Sequence, residues 1–260
     1  MALFTTDIEP VTEEEWFVLT KACELLRLFY EVTVELSSEN KVTISKVILV
    51  SKALQKHVER INSEANLPEG IKKMATKISD QMKIRFAEIE ANPILSESTL
   101  LDPRFKKHGF TNEVALKNTT RAIQQRLSTL QACSNAPEEP RLNSTSSVEP
   151  STSSIWEDFD NTMEEFFLTR NSTAAGIIEF EKYMREDIIK RTENPLAWWV
   201  DRKTLYPHLF DIMYSRLAIP ATSVPCERIF SKSGQILSEK RNRLSSKRVS
   251  EIMFLNANLQ

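Results

Sequence analysis

Glycine is scarce in this sequence: only Gly70, Gly109, Gly176 and Gly234 occur among 260 residues. Tight turns between strands and phosphate-binding loops both depend on glycine, because it adopts backbone conformations that a Cβ atom disfavours. The scarcity therefore argues against a sheet-rich fold and against a nucleotide-binding loop. Apolar residues recur instead at the three- and four-residue steps of helices, so we expect a mainly α fold.

Three amphipathic helices are predicted in the first hundred residues. Thr12 is a suitable N-cap for the first, because Glu13, Glu14 and Glu15 follow it and carboxylates favour the positive end of a helix. The apolar stripe of this helix is Trp16, Leu19, Cys23, Leu26 and Tyr30. The second helix, from about Ser45, carries Val47, Ile48, Val50, Leu54, Val58 and Ile61, and the third, from Pro68, carries Ile71, Met74, Ile78, Met82 and Phe86. We expect these stripes to form a helix-on-helix core.

Composition limits the partners and the compartment. The net charge of -2 attracts no nucleic acid over the whole surface, so any such binding must come from local basic patches. No apolar run approaches the roughly 20 residues of a membrane span, and the acidic start differs from a secretory signal, so an intracellular protein is expected. Three cysteines and three histidines are scattered along the chain, which predicts neither a disulfide framework nor a zinc site. No cofactor is predicted.

Composition changes sharply between residues 134 and 154. Seven of these 21 residues are serine, two are threonine and three are proline, with Leu142 and Val148 as the only large aliphatic residues. Too little apolar surface is present to offset the entropy lost on ordering, so we predict a flexible linker, and phosphorylation of its serines is an alternative role. Helical regions at 1–133 and 155–260 are predicted on either side, the second opening with a helix at Ile155 and Trp156.

The last forty residues hold an unusual combination of groups. Ser223 is a good N-cap and Pro225 is tolerated in a first turn, so a helix is expected to begin here with Glu227 near its positive end. Its core stripe is predicted to be Ile229, Phe230 and Ile236. Ser245 or Ser246 then caps a last helix. The apolar residues of that helix are Val249, Ile252, Met253, Leu255 and Leu259, enough to need a partner.

Cations are dense around this last block. Seven basic residues lie between positions 228 and 248, against one acidic residue, Glu239. They are Arg228, Lys232, Lys240, Arg241, Arg243, Lys247 and Arg248. Such a cluster can neutralise several phosphates of a nucleic acid. A solvated helix face with internal ion pairs explains it equally well, and the sequence leaves both interpretations open.

Two adjacent tryptophans, Trp198 and Trp199, precede an apolar helix that carries Leu209. Tryptophan rings can stack on unpaired bases, as they do in proteins that hold single strands. Burial is favoured here, because each ring removes a large area from water when it joins a core. We therefore predict core packing for both.

Three stretches carry a resemblance to a known family. They are L-D-P-R-F-K at residues 101–106, P-L-A-W-W at residues 195–199 and S-V-P-C-E-R-I-F-S at residues 223–231. The first resembles a signature of the hAT transposases (hobo, Ac, Tam3) and of the BED-zinc-finger proteins domesticated from them, where it closes a helical insertion domain. The other two resemble the hAT C-terminal dimerisation region. The resemblance implies an insertion-domain-like region followed by a dimerisation region, the helical remainder of an RNase H-like core.

In that family the glutamate of the last motif, here Glu227, is one of three acidic ligands for catalytic metal ions. The other two are aspartates on strands that precede the insertion domain, and the chain is expected to lack them. The resemblance therefore implies a catalytically inactive interaction protein, associated with DNA in the nucleus, that forms a homodimer or a heterodimer with related hAT-derived proteins. The expected core and dimerisation residues are Trp198, Trp199, Phe230, Ile252, Met253, Leu255 and Leu259. The alternative is a fragment of an active transposase that needs the upstream aspartates.

Overall fold

A computed structural model of the chain describes residues 10–134, 175–236 and 244–259. Throughout these ranges the regular structure is helical, and none of the described residues lies in a β-strand. The α-helices are α1 (Glu13–Leu36), α2 (Val47–Asn62), α3 (Glu69–Arg85), α4 (Pro93–Leu101), α5 (Glu113–Ser134), α6 (residues 175–185), α7 (Pro195–Asp201), α8 (Pro207–Leu217), α9 (Val224–Ile236) and α10 (Ser246–Asn258). Short 3-10 helices lie at Ile44–Lys46, Ile89–Ala91 and Lys106–Gly109. The prediction of a mainly α fold is confirmed.

Part of the sequence lies outside the described residues. This part includes residues 135–154 of the predicted linker and the helix predicted to open at Ile155 and Trp156. The predicted regions 1–133, 134–154 and 155–260 therefore stay predictions. Within the described ranges, every helix is too short or too polar to cross a membrane.

Hydrogen bonds at the starts of α1 and α10 agree with the N-caps predicted from the sequence. The Thr12 hydroxyl oxygen accepts a hydrogen bond from the Glu15 amide, and the Glu15 carboxylate accepts one from the Thr12 amide, which forms a capping box at α1. Ser245 caps α10 by accepting a hydrogen bond from an amide of its first turn. Both caps agree with the sequence prediction, because a cap depends on residues only two or three positions apart.

The contacts between residues divide the chain into two compact units. Unit 1 joins Met1–Ile89 with Pro220–Gln260, and unit 2 is Glu90–Ile219. Unit 1 thus brings together helices from the first and last parts of the sequence. Hydrogen bonds connect these parts: the Ala221 amide donates to the Thr43 hydroxyl oxygen (3.0 Å), and the Arg228 guanidinium donates to the Glu39 carboxylate (2.8 Å).

The core of unit 1 lies where α1, α2 and α3 meet. Its buried residues are Leu25, Leu54, Val58, Ile61, Ile71, Ala75 and Met82. Leu54, Val58 and Ile61 belong to the stripe predicted for the second helix, and Ile71 and Met82 to that of the third. The stripes of α2 and α3 therefore face the core as predicted.

The stripe predicted for α1 is wrong as a core. Trp16, Leu19, Leu26 and Tyr30 are 59%, 48%, 42% and 72% exposed, and Cys23 is exposed as well. The residues of this helix that take part in the core are Ala22, Leu25, Leu28, Phe29 and Val32. Both sets recur at helical spacing on different faces of α1, so periodicity alone could not choose between them. Contact with α2 and α3 selects the second face and leaves the first one open.

Unit 2 contains α4, α5, α6, α7 and α8. The short helix α4 contacts α5 and α8, and its residues from Ser96 to Leu101 are all buried. Its buried Glu97 carboxylate accepts hydrogen bonds from Arg216 of α8 (2.7 Å) and Arg126 of α5 (3.2 Å). One buried carboxylate therefore connects three helices, and the two cations compensate its loss of water.

Candidate functional site

Glu227 lies in the first turn of α9, as predicted. Its carboxylate accepts a hydrogen bond from the Ser223 hydroxyl (2.7 Å), and its amide donates to the Ser223 carbonyl (2.9 Å). The side chain is exposed. These bonds stabilise the start of the helix, where amides have no partner inside the helix itself. In the part of the chain that the structure describes, no cluster of three or more His, Cys, Asp or Glu side chains could hold a metal ion.

Large apolar side chains on α9 and α10 are open to solvent. Ile229 and Phe230 of α9 are 48% and 74% exposed, so the core stripe predicted for this helix is corrected for these two residues. The exposed apolar residues of α10 are Ile252 (38%), Phe254 (68%) and Leu255 (51%), and Leu259, directly after its end, is 78% exposed. Met253 is half-buried and lines a cleft between the two helices with Ile229. We call these six residues the α9–α10 surface; large apolar side chains that are open to solvent are candidates for contact with a partner.

The predicted basic cluster is described only in part. Arg228, Lys232, Lys247 and Arg248 are exposed, whereas Lys240, Arg241 and Arg243 lie outside the described residues. The Arg228 guanidinium forms an ion pair with Glu39 (2.8 Å) and also donates to the Ser37 carbonyl (3.2 Å). The Lys232 amine lies 3.5 Å from the Asn256 side-chain oxygen. Arg228 therefore forms its contacts within unit 1. The nucleic-acid role of the cluster stays a prediction.

Trp198 and Trp199 lie in unit 2, where they are 8% and 0% exposed. They form an aromatic cluster with Tyr183 and Tyr206; the Trp198 and Trp199 ring centroids are 5.1 Å apart, and those of Tyr183 and Trp199 are 5.0 Å apart. Burial raises the pKa of both tyrosine hydroxyls, which stay neutral hydrogen-bond donors. Rings packed in this way stabilise unit 2 and are not available to stack on bases.

The L-D-P-R-F-K segment is a buried centre of unit 2. Asp102 and Arg104 are 0% and 8% exposed, and the Arg104 Nε and Nη2 atoms donate to the two Asp102 carboxylate oxygens at 2.9 and 2.6 Å. The Leu101 carbonyl of the segment and the carbonyl of the preceding Leu100 accept hydrogen bonds from the aromatic cluster: the Tyr183 hydroxyl donates to Leu100 and the Trp199 indole donates to Leu101, both at 3.0 Å. These two bonds connect α6 and α7 to the end of α4, where the segment begins.

Lys106 completes this connection. Its side chain is 2% exposed, and its amine donates to the carbonyls of Tyr183 (2.6 Å) and Glu186 (2.7 Å). The amine also lies 4.4 Å from the centroid of the Tyr183 ring. The backbone of Lys106 has a φ of 45°, which a residue with a Cβ atom adopts only when its surroundings hold it there. Sequence reasoning identified the segment by resemblance but missed its structural role, because a lysine in a sequence predicts an exposed side chain.

The buried amine makes stability depend on pH. Burial lowers the pKa of Lys106 in the folded protein to about 8, below the ordinary lysine value of 10.5. Between these values the unfolded chain binds a proton that the folded chain does not, so the free energy of unfolding rises with pH. From about pH 8 to about pH 10, we expect this free energy to rise by about 2 to 3 kcal/mol relative to Lys106→Met, measured by urea unfolding.

Lys182→Met is the matched control, because Lys182 is exposed. Its free energy of unfolding should follow that of the unchanged protein across the same pH range. Parallel profiles for the Lys106→Met variant and the unchanged protein would show that the buried amine does not titrate in this range.

Comparisons with known proteins agree with the resemblance. Residues 179–259 match the hAT family C-terminal dimerisation region, which spans the sequence from α6 to α10. Zinc finger BED domain-containing protein 4 of Homo sapiens is 24% identical over 254 residues, which cover 96% of this chain and 21% of the relative. A putative AC transposase of Zea mays is 26% identical over 196 residues, covering 70% of this chain and 24% of the relative.

A further relative has a similar name. Zinc finger BED domain-containing protein 6 of Homo sapiens is 21% identical over 277 aligned positions, covering 96% of this chain and 28% of the relative. The chain thus spans about a quarter of the length of the curated relatives it matches. Distant similarity extends over most of the chain, and its carboxyl-terminal part matches the hAT family C-terminal dimerisation region.

Proposed function

We propose that this chain, which carries a hAT family C-terminal dimerisation region at residues 179–259, is a self-associating interaction protein without nuclease activity of its own. The observation that carries the proposal is the α9–α10 surface, whose exposed apolar residues all lie within that region. The partner is a second copy or a related hAT-derived chain. By its resemblance to BED-zinc-finger proteins, we place the complex in the nucleus.

The character of the α9–α10 surface supports association. Phe230, Phe254 and Leu259 are each more than two-thirds exposed, at 74%, 68% and 78%. Aromatic and aliphatic side chains of this size supply most of the free energy at the centre of protein interfaces. Burying them against a second chain would remove them from water without disturbing the core of unit 1, to which they do not belong.

The surroundings of Glu227 support a role other than catalysis. A carboxylate that acts as a metal ligand needs further carboxylates that converge on the same ion. The Glu227 carboxylate instead accepts a hydrogen bond from Ser223 in its own helix start. This arrangement makes Glu227 a helix-start residue in this chain.

Self-association is tested by making the surface acidic. We expect the double variant Phe254→Glu and Leu255→Glu to convert a dimer into a monomer, measured as molar mass by light scattering after size-exclusion chromatography. Two buried glutamates per copy would cost several kcal/mol in the interface. Both positions are exposed, at 68% and 51%, so the fold should persist, and the helical circular dichroism should not change.

Tyr214→Glu is the control for this experiment. Tyr214 lies in the matched region at a similar exposure of 68%, but on α8 of unit 2. This variant should keep the mass of the unchanged protein. A chain that is monomeric at tens of micromolar before any substitution would refute the proposal.

Association with DNA is the second part of the proposal and rests on the exposed cations Lys247 and Arg248. If each contacts a phosphate, the double variant Lys247→Glu and Arg248→Glu should reduce the slope of log affinity against log salt by about 2. The control is Lys72→Glu with Lys73→Glu, two exposed lysines on α3. If the two double variants gave the same salt slope, Lys247 and Arg248 would not contact the DNA phosphates.

The alternative function is that of a part of an active transposase. It is favoured by the likeness to a protein named as a putative AC transposase. Under this alternative, incubation of DNA with the chain and Mg²⁺ or Mn²⁺ gives strand nicks, and Glu227→Gln abolishes them. We expect no nicking by the unchanged chain or by its Glu227→Gln variant.

A further inference from the structure

A serine on α10 follows two cations in the sequence. Ser250 comes after Lys247, Arg248 and Val249, so a lysine and an arginine stand three and two positions before it. All four residues lie in the described part of α10. Protein kinases select substrates by patterns of charge, and one class of serine kinases binds basic residues at these two positions through its own carboxylates. The order K-R-V-S fits that class.

The Ser250 side chain can be reached from solvent. Ser250, Lys247 and Arg248 are exposed, and no described side chain of α10 is buried. A kinase binds its substrate in an extended conformation, so α10 must open locally around the serine. Opening costs little free energy where few side chains are buried. The core of unit 1 contains no α10 residue and can stay folded during the reaction.

Ser250 is next to both features on which the proposed function rests. Residues three and four positions apart are neighbours on one face of a helix, with Cβ atoms about 5 to 6 Å apart. Lys247 comes three residues before Ser250. Phe254, which is 68% exposed and belongs to the α9–α10 surface, comes four residues after it. The serine therefore lies between a cation and an exposed aromatic ring on one face of α10.

We propose that Ser250 is a phosphorylation site for a serine kinase that recognises basic residues, and that its phosphate weakens both self-association and binding to DNA. This inference rests on the proposed function, because it assigns a regulator to the same surface. The Ser250 oxygen attacks the γ-phosphorus of ATP, and the bond from that phosphorus to the bridging oxygen of ADP breaks. A carboxylate of the kinase takes the hydroxyl proton. The products are the phosphoserine chain and ADP.

A phosphate at this position reverses the local charge. Residues 247–251 carry two cations, Lys247 and Arg248, and one carboxylate, Glu251, so their summed charge is positive. A phosphoserine adds about −1.5 to −2 at pH 7, which makes the sum negative. A negative segment repels the phosphates of DNA. We therefore expect the slope of log affinity against log salt to fall by about 2, as proposed for Lys247→Glu with Arg248→Glu.

The phosphate also acts on the α9–α10 surface. A dianion within about one helical turn of Phe254 loses water when a second chain covers that ring, and this loss opposes the contact. In a symmetric pair, both copies contribute a phosphate to the same interface, so the charges also repel each other. We expect phosphorylation to weaken self-association about tenfold or more.

Phosphorylation of the intact chain tests the site. Incubation with ATP, Mg²⁺ and the catalytic subunit of cyclic-AMP-dependent protein kinase should place a phosphate on Ser250, located by mass spectrometry of peptides. Ser250→Ala should abolish this modification, and Lys247→Ala with Arg248→Ala should slow it about tenfold or more. Ser246→Ala is the matched control, because Ser246 is another exposed serine of α10, and Ser250 should still be modified.

Two results would overturn the assignment of the site. One is phosphate on Ser246 with none on Ser250. The other is modification of Ser250 at an unchanged rate after both cations have been removed, because recognition would then not depend on the K-R-V-S order.

The effect of the phosphate is measured on the same protein. The phosphorylated chain should show weaker association in sedimentation experiments and a smaller salt slope for DNA than the same chain after phosphatase treatment. Ser250→Ala, treated with the kinase in the same way, should change in neither property. If Ser250 carries a phosphate and neither property changes, the proposed regulation is refuted.

This inference and the proposed function can fail separately. If Phe254→Glu with Leu255→Glu converts a dimer into a monomer but Ser250 accepts no phosphate, the proposed function holds and the inference is refuted. If Ser250 accepts phosphate but the unchanged chain is monomeric, self-association is refuted, whereas the phosphorylation site stands.

Discussion

Replacing Asp102 with alanine is expected to lower the free energy of unfolding by about 3 to 5 kcal/mol, because it leaves the buried Arg104 guanidinium without its carboxylate. Both partners are almost fully buried, and two hydrogen bonds of 2.9 and 2.6 Å join the side chains. The Arg104 amide also loses its acceptor, the Asp102 carboxylate oxygen at 3.0 Å. Urea unfolding followed by circular dichroism measures the loss.

Two further variants serve as comparisons for Asp102→Ala. Asp102→Asn keeps an oxygen for the Arg104 amide but removes the negative charge, so its cost should be smaller than that of Asp102→Ala. Glu31→Ala breaks an exposed pair with Arg27, whose side chain is 80% exposed, and should cost under about 1 kcal/mol. If Asp102→Ala cost no more than Glu31→Ala, the buried pair would not support unit 2.

Replacing Trp199 with alanine should have an effect of similar size. The ring is fully buried among Tyr183, Trp198 and Tyr206, and its indole donates to the Leu101 carbonyl. Removing a large buried aromatic side chain usually costs about 3 to 5 kcal/mol through lost packing and the cavity that remains. The midpoint of urea unfolding should fall accordingly.

Trp16→Ala is the matched control, because it removes the same side chain from a position that is 59% exposed. Its cost should stay within about 0.5 kcal/mol, as for other surface substitutions. Trp199→Phe should fall between the two, since it keeps much of the packing but loses the hydrogen bond to Leu101. Equal losses for Trp199→Ala and Trp16→Ala would contradict the burial described for these two rings.

Some features of this protein could be predicted from a few neighbouring residues. The capping box of Thr12 and Glu15 and the cap at Ser245 depend on side chains and amides within one helical turn. The stripes of α2 and α3 could be predicted because each of these helices has one dominant apolar face. α1 has two apolar faces, and the spacing of its apolar residues does not show which of them contacts the core.

The candidate site also has features that could be predicted from neighbouring residues and features that could not. Glu227 was placed at a helix start because Ser223 and Pro225 mark that start locally. The exposure of Phe230 could not be predicted, since an apolar residue at helical spacing predicts a core equally well. The buried positions of Asp102, Arg104 and Lys106 could not be predicted either. Charged side chains are seldom buried, and no local sequence pattern marks those that are.

The sequence by itself determined the helical class, the helix starts and the likeness to hAT proteins, because these depend on local backbone preferences and on short motifs. Only the tertiary structure decided that the first and last parts of the chain share unit 1, and that Lys106 reaches the carbonyls of Tyr183 and Glu186. It also decided that Trp16, Leu19, Leu26 and Tyr30 of α1 and the α9–α10 surface face solvent. Burial depends on partners that are distant in sequence, and a pattern within one helix contains no information about them.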